Sequence, residues 1–466
     1  MAENEIDSAV PPPPRRRLRW WLLAGILVIG VVLITVARLT AIDNAFRNFN
    51  TIFGSLGTLL LLVVWFVFLS GLRWRTRLLG LATLVAVAVA AGMSIEVDGF
   101  YGDMVPQFRR RGSAARDFGL ASDAAVSHNA DAGAARVDLR TTTPHDFPRF
   151  LGPFGRGAVE HVRLARDWSK QQPRQLWRQP IGAGWSAFSV VGDYAVTQEQ
   201  RGELELVTCY EIKTGQIQWT HEDRVRFSEV MGGDGPRATP TIVDGRVYAM
   251  GATGILNCLD GGAGKVIWSR DVLADNTQNN LQWGKSCSPL VFDDIVVVTL
   301  GDEYEPSLTA YTGDGGRVLW RAGNDKPSYA TPVLATLAER EQILVVNQNS
   351  VAAHDPSVGD MLWEYSWPGE MPKCANPVPI GDDRVLISTG YGLDCVMLQV
   401  KSARGKLSVS EVWKNKRMKS KFTNVVVRDG FVYGLDDGIM QCLDLANGDQ
   451  KWKGGRYGHG QVLLVG

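Results

Sequence analysis

The stretch ATPTIVDGRVYAMGATGILNCLDGGAGKVIW, residues 238–268, decides the fold. Ala238-Thr239-Pro240 opens a strand that runs through Val243. Asp244-Gly245 is a two-residue hairpin signal, and Arg246 to Ala249 alternates as a second strand. Residues 254–260 read as a third strand, 261–264 as a turn, and Lys265 to Trp268 as a fourth. Four short antiparallel strands make one blade of a radial array, in which stacking protects the sheet edges. The rival, a parallel solenoid, conflicts with the Asp-Gly hairpin.

The pattern repeats outward in both directions. Trp177, Trp219, Trp268, Trp320, Trp363, Trp413 and Trp452 lie 42, 49, 52, 43, 50 and 39 residues apart. Such intervals mark propellers and related arrays. Gly215, Gly264, Gly316, Gly359 and Gly448 each stand four residues before their Trp. Gly405 stands eight before Trp413, so four residues are inserted in that repeat. The expected fold is an all-β propeller of seven or eight four-stranded antiparallel blades, preceded by transmembrane α-helices. Gln175-Leu176-Trp177 reads as the last strand of a blade, and residues 461–466 as the first strand of a seventh unit. On this reading the chain is cut short at its C-terminus; a closed six-blade ring is the alternative.

The repeat resembles the pyrroloquinoline quinone (PQQ) type of β-propeller. The resemblance rests on Ala-x-Pro, Val-Tyr, Cys/Ala-Leu-Asp and Gly-Lys-x-x-Trp, clearest in 238–268 and again in 422–452, where Asn424 replaces the proline. It covers the chain from about residue 175 to the end. That family includes quinoprotein alcohol dehydrogenases and a non-enzymatic lipoprotein of outer-membrane assembly, and this chain looks closer to the latter. The resemblance implies that the repeat Trp residues brace neighbouring blades. Cys209, Cys258 and Cys442 share one repeat position, filled by Ala310 and Ala353 elsewhere. Equivalent positions of different blades are beyond disulfide reach, so free, buried thiols are expected.

Charge is balanced, with 49 basic and 49 acidic residues, which gives no pull toward nucleic acid. The six Cys and six His form no cluster with metal spacing. Three apolar runs, 18–37, 52–72 and 78–95, approach the length needed to cross about 30 Å of hydrocarbon. The basic residues Arg15, Arg16, Arg17 and Arg19, and then Arg73, Arg75 and Arg77, place the N-terminus and the second loop in the cytoplasm. Arg109, Arg110 and Arg111 on the far side run against that rule. The expected organisation is a tail over 1–17, a membrane domain over 18–95, a flexible linker over 96–145, and a propeller over 146–466 on the periplasmic side of an inner membrane.

Loops leading into the innermost strands face the channel mouth of a propeller. The mouth candidates are Trp185, Arg237, Trp283, Lys285, Lys326, Tyr329, Lys373, Lys421, Arg456 and His459. Converging cations would focus a positive potential, and the aromatics would offer stacking surfaces. The chain therefore reads as a membrane-anchored binding or scaffold module for a protein segment or an anionic small molecule. The alternative is a PQQ-dependent dehydrogenase oxidising an alcohol or sugar, with PQQ and calcium. Glu199, Asp234 and Asn280 are of suitable type for that calcium, but the vicinal Cys pair of the resembling dehydrogenases is absent. A third reading, signal coupling to the membrane helices, lacks an output domain. No catalytic or metal residue is assigned.

Overall fold

A computed structural model describes residues 19–113, 116–120, 137–160 and 162–466. The chain divides at residue 113 into two units. The expected tail over 1–17, and much of the expected linker, lie outside the described residues.

The first unit holds α1 (Trp20–Leu39), α2 (Asn44–Val64, continued by a π-helical turn over Trp65–Leu69) and α3 (Trp74–Ser94). All three are long and apolar enough to cross a membrane. The helices α1 and α2 meet at small residues. A Cβ on Gly30 would lie 2.5 Å from Thr58 Oγ1, and one on Gly54 would lie 2.5 Å from Ile34 Cγ1. The helix α2 starts eight residues before the expected 52, because Asp43 caps it by accepting from the Phe46 N–H at 3.0 Å. Its first two turns are polar and escape a hydropathy reading. Arg75 and Arg77 lie in the first turn of α3 instead of the preceding loop. Arg77 donates to the carbonyls of Val67 (2.8 Å) and Leu72 (3.0 Å), which the π-helical end leaves free.

The expected linker is partly structured. Strands β1 (Ile95–Phe100) and β2 (Pro106–Arg110) pair as an antiparallel hairpin directly after α3. Arg109 bridges Glu96 (2.9 Å) and Asp98 (2.8 Å) across it. In the second unit, Val137 and Leu139 are buried among Val191, Val247 and Trp219, so the propeller begins before residue 146.

Six four-stranded antiparallel sheets follow in chain order, over 189–223, 241–271, 290–322, 333–366, 378–415 and 426–456; we number them blades 1 to 6. Within each sheet the strands lie in sequence order. Leu464–Val465 supplies the strand expected of a further unit and pairs in parallel with Ala158–Val159. Residues 175–177 form no ladder, but Trp177 still does what the repeat requires: its indole N–H donates to Ile212 O at 2.7 Å.

One lock joins successive blades. The indoles of Trp219, Trp268 and Trp413 donate to Gly261 O (2.9 Å), Gly313 O (2.9 Å) and Leu445 O (3.1 Å) of the next blade. Each ring lies under the repeat glycine of that next blade. A Cβ on Gly264 would meet Trp219, and one on Gly316 would meet Trp268. Opposite each Trp on its own sheet stands the small repeat residue: Cys209, Cys258, Ala310, Ala353 and Cys442 all register with it. All six cysteines are free. Blade 5 breaks the rule. Its third and fourth strands, Cys395–Ala403 and Lys406–Asn415, form a longer hairpin, and Gly405 meets nothing. Trp363 turns instead to Gln342 Oε1 of its own blade, at 2.6 Å.

Candidate functional site

The first strand of each blade lies at the inner sheet edge, and the loop leading into it shares one end of the molecule with the turn joining strands two and three. Residues 146–148 cover the inner edges of blades 1 and 2. Phe147 and Val190 exchange both backbone hydrogen bonds at 2.8 Å, and Ile242 N–H donates to Pro148 O at 2.7 Å. Asp146, at the opposite end of the strands from the mouth, accepts from Gly192 N–H. At the mouth end, Arg226 clamps Asp117 (2.6 Å) and Asp234 (2.7 Å) and lies over the Phe118 ring.

The expected ring of free cations is not formed. Lys285, Lys373 and Lys421 are at most 1% exposed. Lys285 Nζ donates to Thr299 O at 2.8 Å and to Leu300 O. Lys373 Nζ donates to Gln348 O, and Lys421 Nζ lies 2.8 Å from Asp437 Oδ1. Lys285 and Lys421 staple the loop before strand one to the turn after strand two of their own blade, whereas Lys373 staples the loop before blade 5 to the turn after strand two of blade 4. The carbonyls at that turn would otherwise be buried without donors. Burial lowers Lys285 and Lys373 to about 8. Arg237 is also occupied: it donates to Gly232, Gly233 and Gly235 carbonyls at 2.7 Å and stacks over Phe227, and burial holds it at about 10.

Beside the exposed Arg456 and half-buried Lys326, the mouth presents aromatic and apolar side chains. Trp185 is 64% exposed, its N–H fixed to Gly232 O at 3.0 Å. Gly232 lies against Trp283, and Trp283 meets Tyr329 with ring centroids 5.5 Å apart. Val230 and Met231 stand exposed on the same loop. Sequence reasoning missed these two; their signal is an apolar pair at the tip of a Gly-rich loop. Trp185, Arg237, Trp283 and Tyr329 are thus brought together. Phe422, His459 and Tyr391 form a second aromatic group beside Lys421. Arg456 is exposed and donates to Asp437 O at 3.4 Å. Lys326 is half-buried; its carbonyl accepts from Gln348 N–H.

Of the three calcium candidates, Glu199 and Asp234 are engaged by neighbouring donors, while Asn280 donates to Ala252 O at 2.8 Å and its Oδ1 is buried without a partner among the described residues. Glu199 Oε1 accepts from Thr208 and Tyr210 at 2.7 Å, and Oε2 from Gly182 N–H at 2.6 Å and Arg201 Nε at 3.0 Å. Burial raises its pKa, but Arg201 with the Gly182 and Thr208 hydrogen bonds together outweigh burial and hold it below the usual range. Asp234 is taken by Arg226 and Ser228.

One carboxyl at this end has the opposite balance. Glu205 is 3% exposed and accepts from Ala252 N–H at 3.1 Å; burial, with Asp223 opposing ionisation, raises it to about 7 despite Arg237. A carboxyl whose folded pKa is raised contributes full stability below its unfolded value and loses it as pH rises through the folded one. Glu205→Gln is therefore expected to gain on the native protein by about 2–3 kcal/mol between about pH 5 and pH 8. Parallel thermal unfolding curves across that window would refute it.

The sequence profile of the family described as "Outer membrane protein assembly factor BamB" matches residues 205–454. BamB from Moraxella catarrhalis is similar at a TM-score of 0.44 and 17% identity, over 59% of this chain and 76% of that chain. The quinohemoprotein alcohol dehydrogenase from Comamonas testosteroni is similar at 0.38 and 13%, over 73% and 78%. A europium-containing methanol dehydrogenase is similar at 0.38 and 12%, over 68% and 87%. No curated protein matches.

Proposed function

This chain belongs to the PQQ-type propeller family whose profile is described as outer membrane protein assembly factor BamB, and from that premise we propose that it is a membrane-anchored, extracytoplasmic binding module for a protein segment. The propeller mouth holds the segment. The carrying observation is the division of labour there. Lys285, Lys373, Lys421 and Arg237 are spent on backbone carbonyls or a carboxylate, while Trp185, Val230 and Met231 stay exposed beside Trp283 and Tyr329. An aromatic and apolar surface held rigid by buried cations suits a polypeptide better than a small anion. The cations act as positioning residues. The three apolar helices supply the anchor, with the N-terminus in the cytoplasm.

The test is site-specific photo-crosslinking in cells from positions 185 and 231, with position 213 on the outer side of blade 1 as control. The expected result is one discrete polypeptide adduct from the mouth positions and none from 213. Trp283→Ala should cut the yield at 185 about tenfold. A PQQ-dehydrogenase is the competing outcome: dye-linked alcohol oxidation by the full chain supplied with PQQ and calcium, without mouth adducts, would replace the binding reading.

A further inference from the structure

Residues 401–421 hold eight Lys or Arg and one acidic residue, Glu411. Four of the cations are matched: Lys414 by Glu411, Arg417 by Asp449, Lys419 by Asp436 and Lys421 by Asp437. Lys401, Arg404 and Lys406 are exposed at the tip of the long blade 5 hairpin, and none has a carboxylate partner among the described residues.

Three local rules give way to place them. First, the inserted residues extend the hairpin until Ala403 pairs with Lys406, with Leu407 the one buried side chain at its end. Second, the lengthening removes Gly405 from the blade lock, so Trp363 must find Gln342. Third, the tip is a two-residue turn with both φ angles positive, Arg404 at 53° and Gly405 at 77°. Asp244-Gly245, Asp429-Gly430 and Asp437-Gly438 use the same geometry with an acid first, and Ala338-Glu339 uses it with an alanine first. Asp and Asn tolerate this conformation better than Arg. Rules broken together at one place point to function.

We propose that Lys401, Arg404 and Lys406 form a docking surface for an anionic phospholipid bilayer. The cations are separated by Ser402, Ala403 and Gly405, so the tip offers no large apolar anchor of the kind protein partners fill. Charge without such an anchor suits a headgroup layer, where each cation contributes on its own. The apolar helices of the same chain keep a bilayer at hand. This surface is independent of the mouth.

The full chain is reconstituted into vesicles of phosphatidylcholine alone or mixed with phosphatidylglycerol. Amine acylation of Lys401 and Lys406 is read by mass spectrometry, with Lys213 as reference. Labelling of both tip lysines is expected to fall at least about fivefold in the anionic vesicles and to recover in about 0.5 M NaCl, with Lys213 unchanged. Arg404→Glu leaves both reporters in place and should abolish the protection while unfolding at the native temperature. Equal labelling in the two vesicles overturns the proposal and leaves an acidic protein as the partner. Protection by inorganic phosphate in neutral vesicles would overturn it too, in favour of a discrete phosphate site.

Discussion

Arg201→Ala destabilises the propeller by about 3–5 kcal/mol, measured by denaturant or thermal unfolding of the full chain in detergent. Glu199 is fully buried and Arg201 is 6% exposed, so the ion pair is shut off from water. Removing the guanidinium strands a carboxylate that Thr208, Tyr210 and Gly182 can hydrogen-bond but not neutralise. The pH dependence carries the diagnosis. In the native protein the Glu199 pKa is held low, so its contribution is present above the unfolded carboxyl pKa and fades as pH falls through the folded one. Without Arg201 burial dominates, the folded pKa rises, and the deficit should shrink on acidification. Glu199→Gln combined with Arg201→Ala should be less destabilised than Arg201→Ala alone. A deficit that is flat in pH, or strictly additive with Glu199→Gln, would show that the pair is not what Arg201 serves.

Two glycine substitutions of identical chemistry should differ sharply. At Gly316 an added Cβ would lie 2.7 Å from Trp268, on a backbone with φ of +63°. Left-handed strain of about 1–2 kcal/mol adds to overpacking of about 1–3 kcal/mol, so Gly316→Ala should cost about 2–5 kcal/mol. At Gly405, φ is +77° but nothing lies within 4 Å of the Cβ, so Gly405→Ala should cost only about 1 kcal/mol, the strain alone. The steric part of the Gly316 penalty should vanish when Trp268 is shortened, which a double-mutant cycle reads directly. Equal costs at both glycines would refute the lock.

The repeat was legible because its Trp and Gly residues do the same job at every blade junction except that between blades 4 and 5, so spacing carried the message. The same logic extends to the lysines. Lys285, Lys373 and Lys421 each stand two residues before the position of Cys287, Ala375 and Thr423. A cation recurring in register signals a structural duty, as a recurring Trp does. Read singly, a loop lysine gives no direction, and its aliphatic stem lets it turn inward as readily as out. The polar start of α2 was hidden because hydropathy registers the middle of a span and not the Asp43 cap. The ion pairs of Arg109 were hidden for a related reason, since its partners Glu96 and Asp98 are brought to it by a hairpin.

Residues 146–148 line the inner edges of blades 1 and 2, and the large mouth aromatics Trp185, Trp283 and Tyr329 sit on the approaches to blades 1, 3 and 4. Near-identical blades would give a mouth with rotational pseudo-symmetry, where a guest could seat in several equivalent azimuths. The inner strap and the uneven aromatics cancel that degeneracy. On the binding role proposed above, a polypeptide seated at the mouth would meet one preferred azimuth, so its chain direction could be read. Reversing the sequence of a binding peptide should abolish its recognition even though its composition is unchanged.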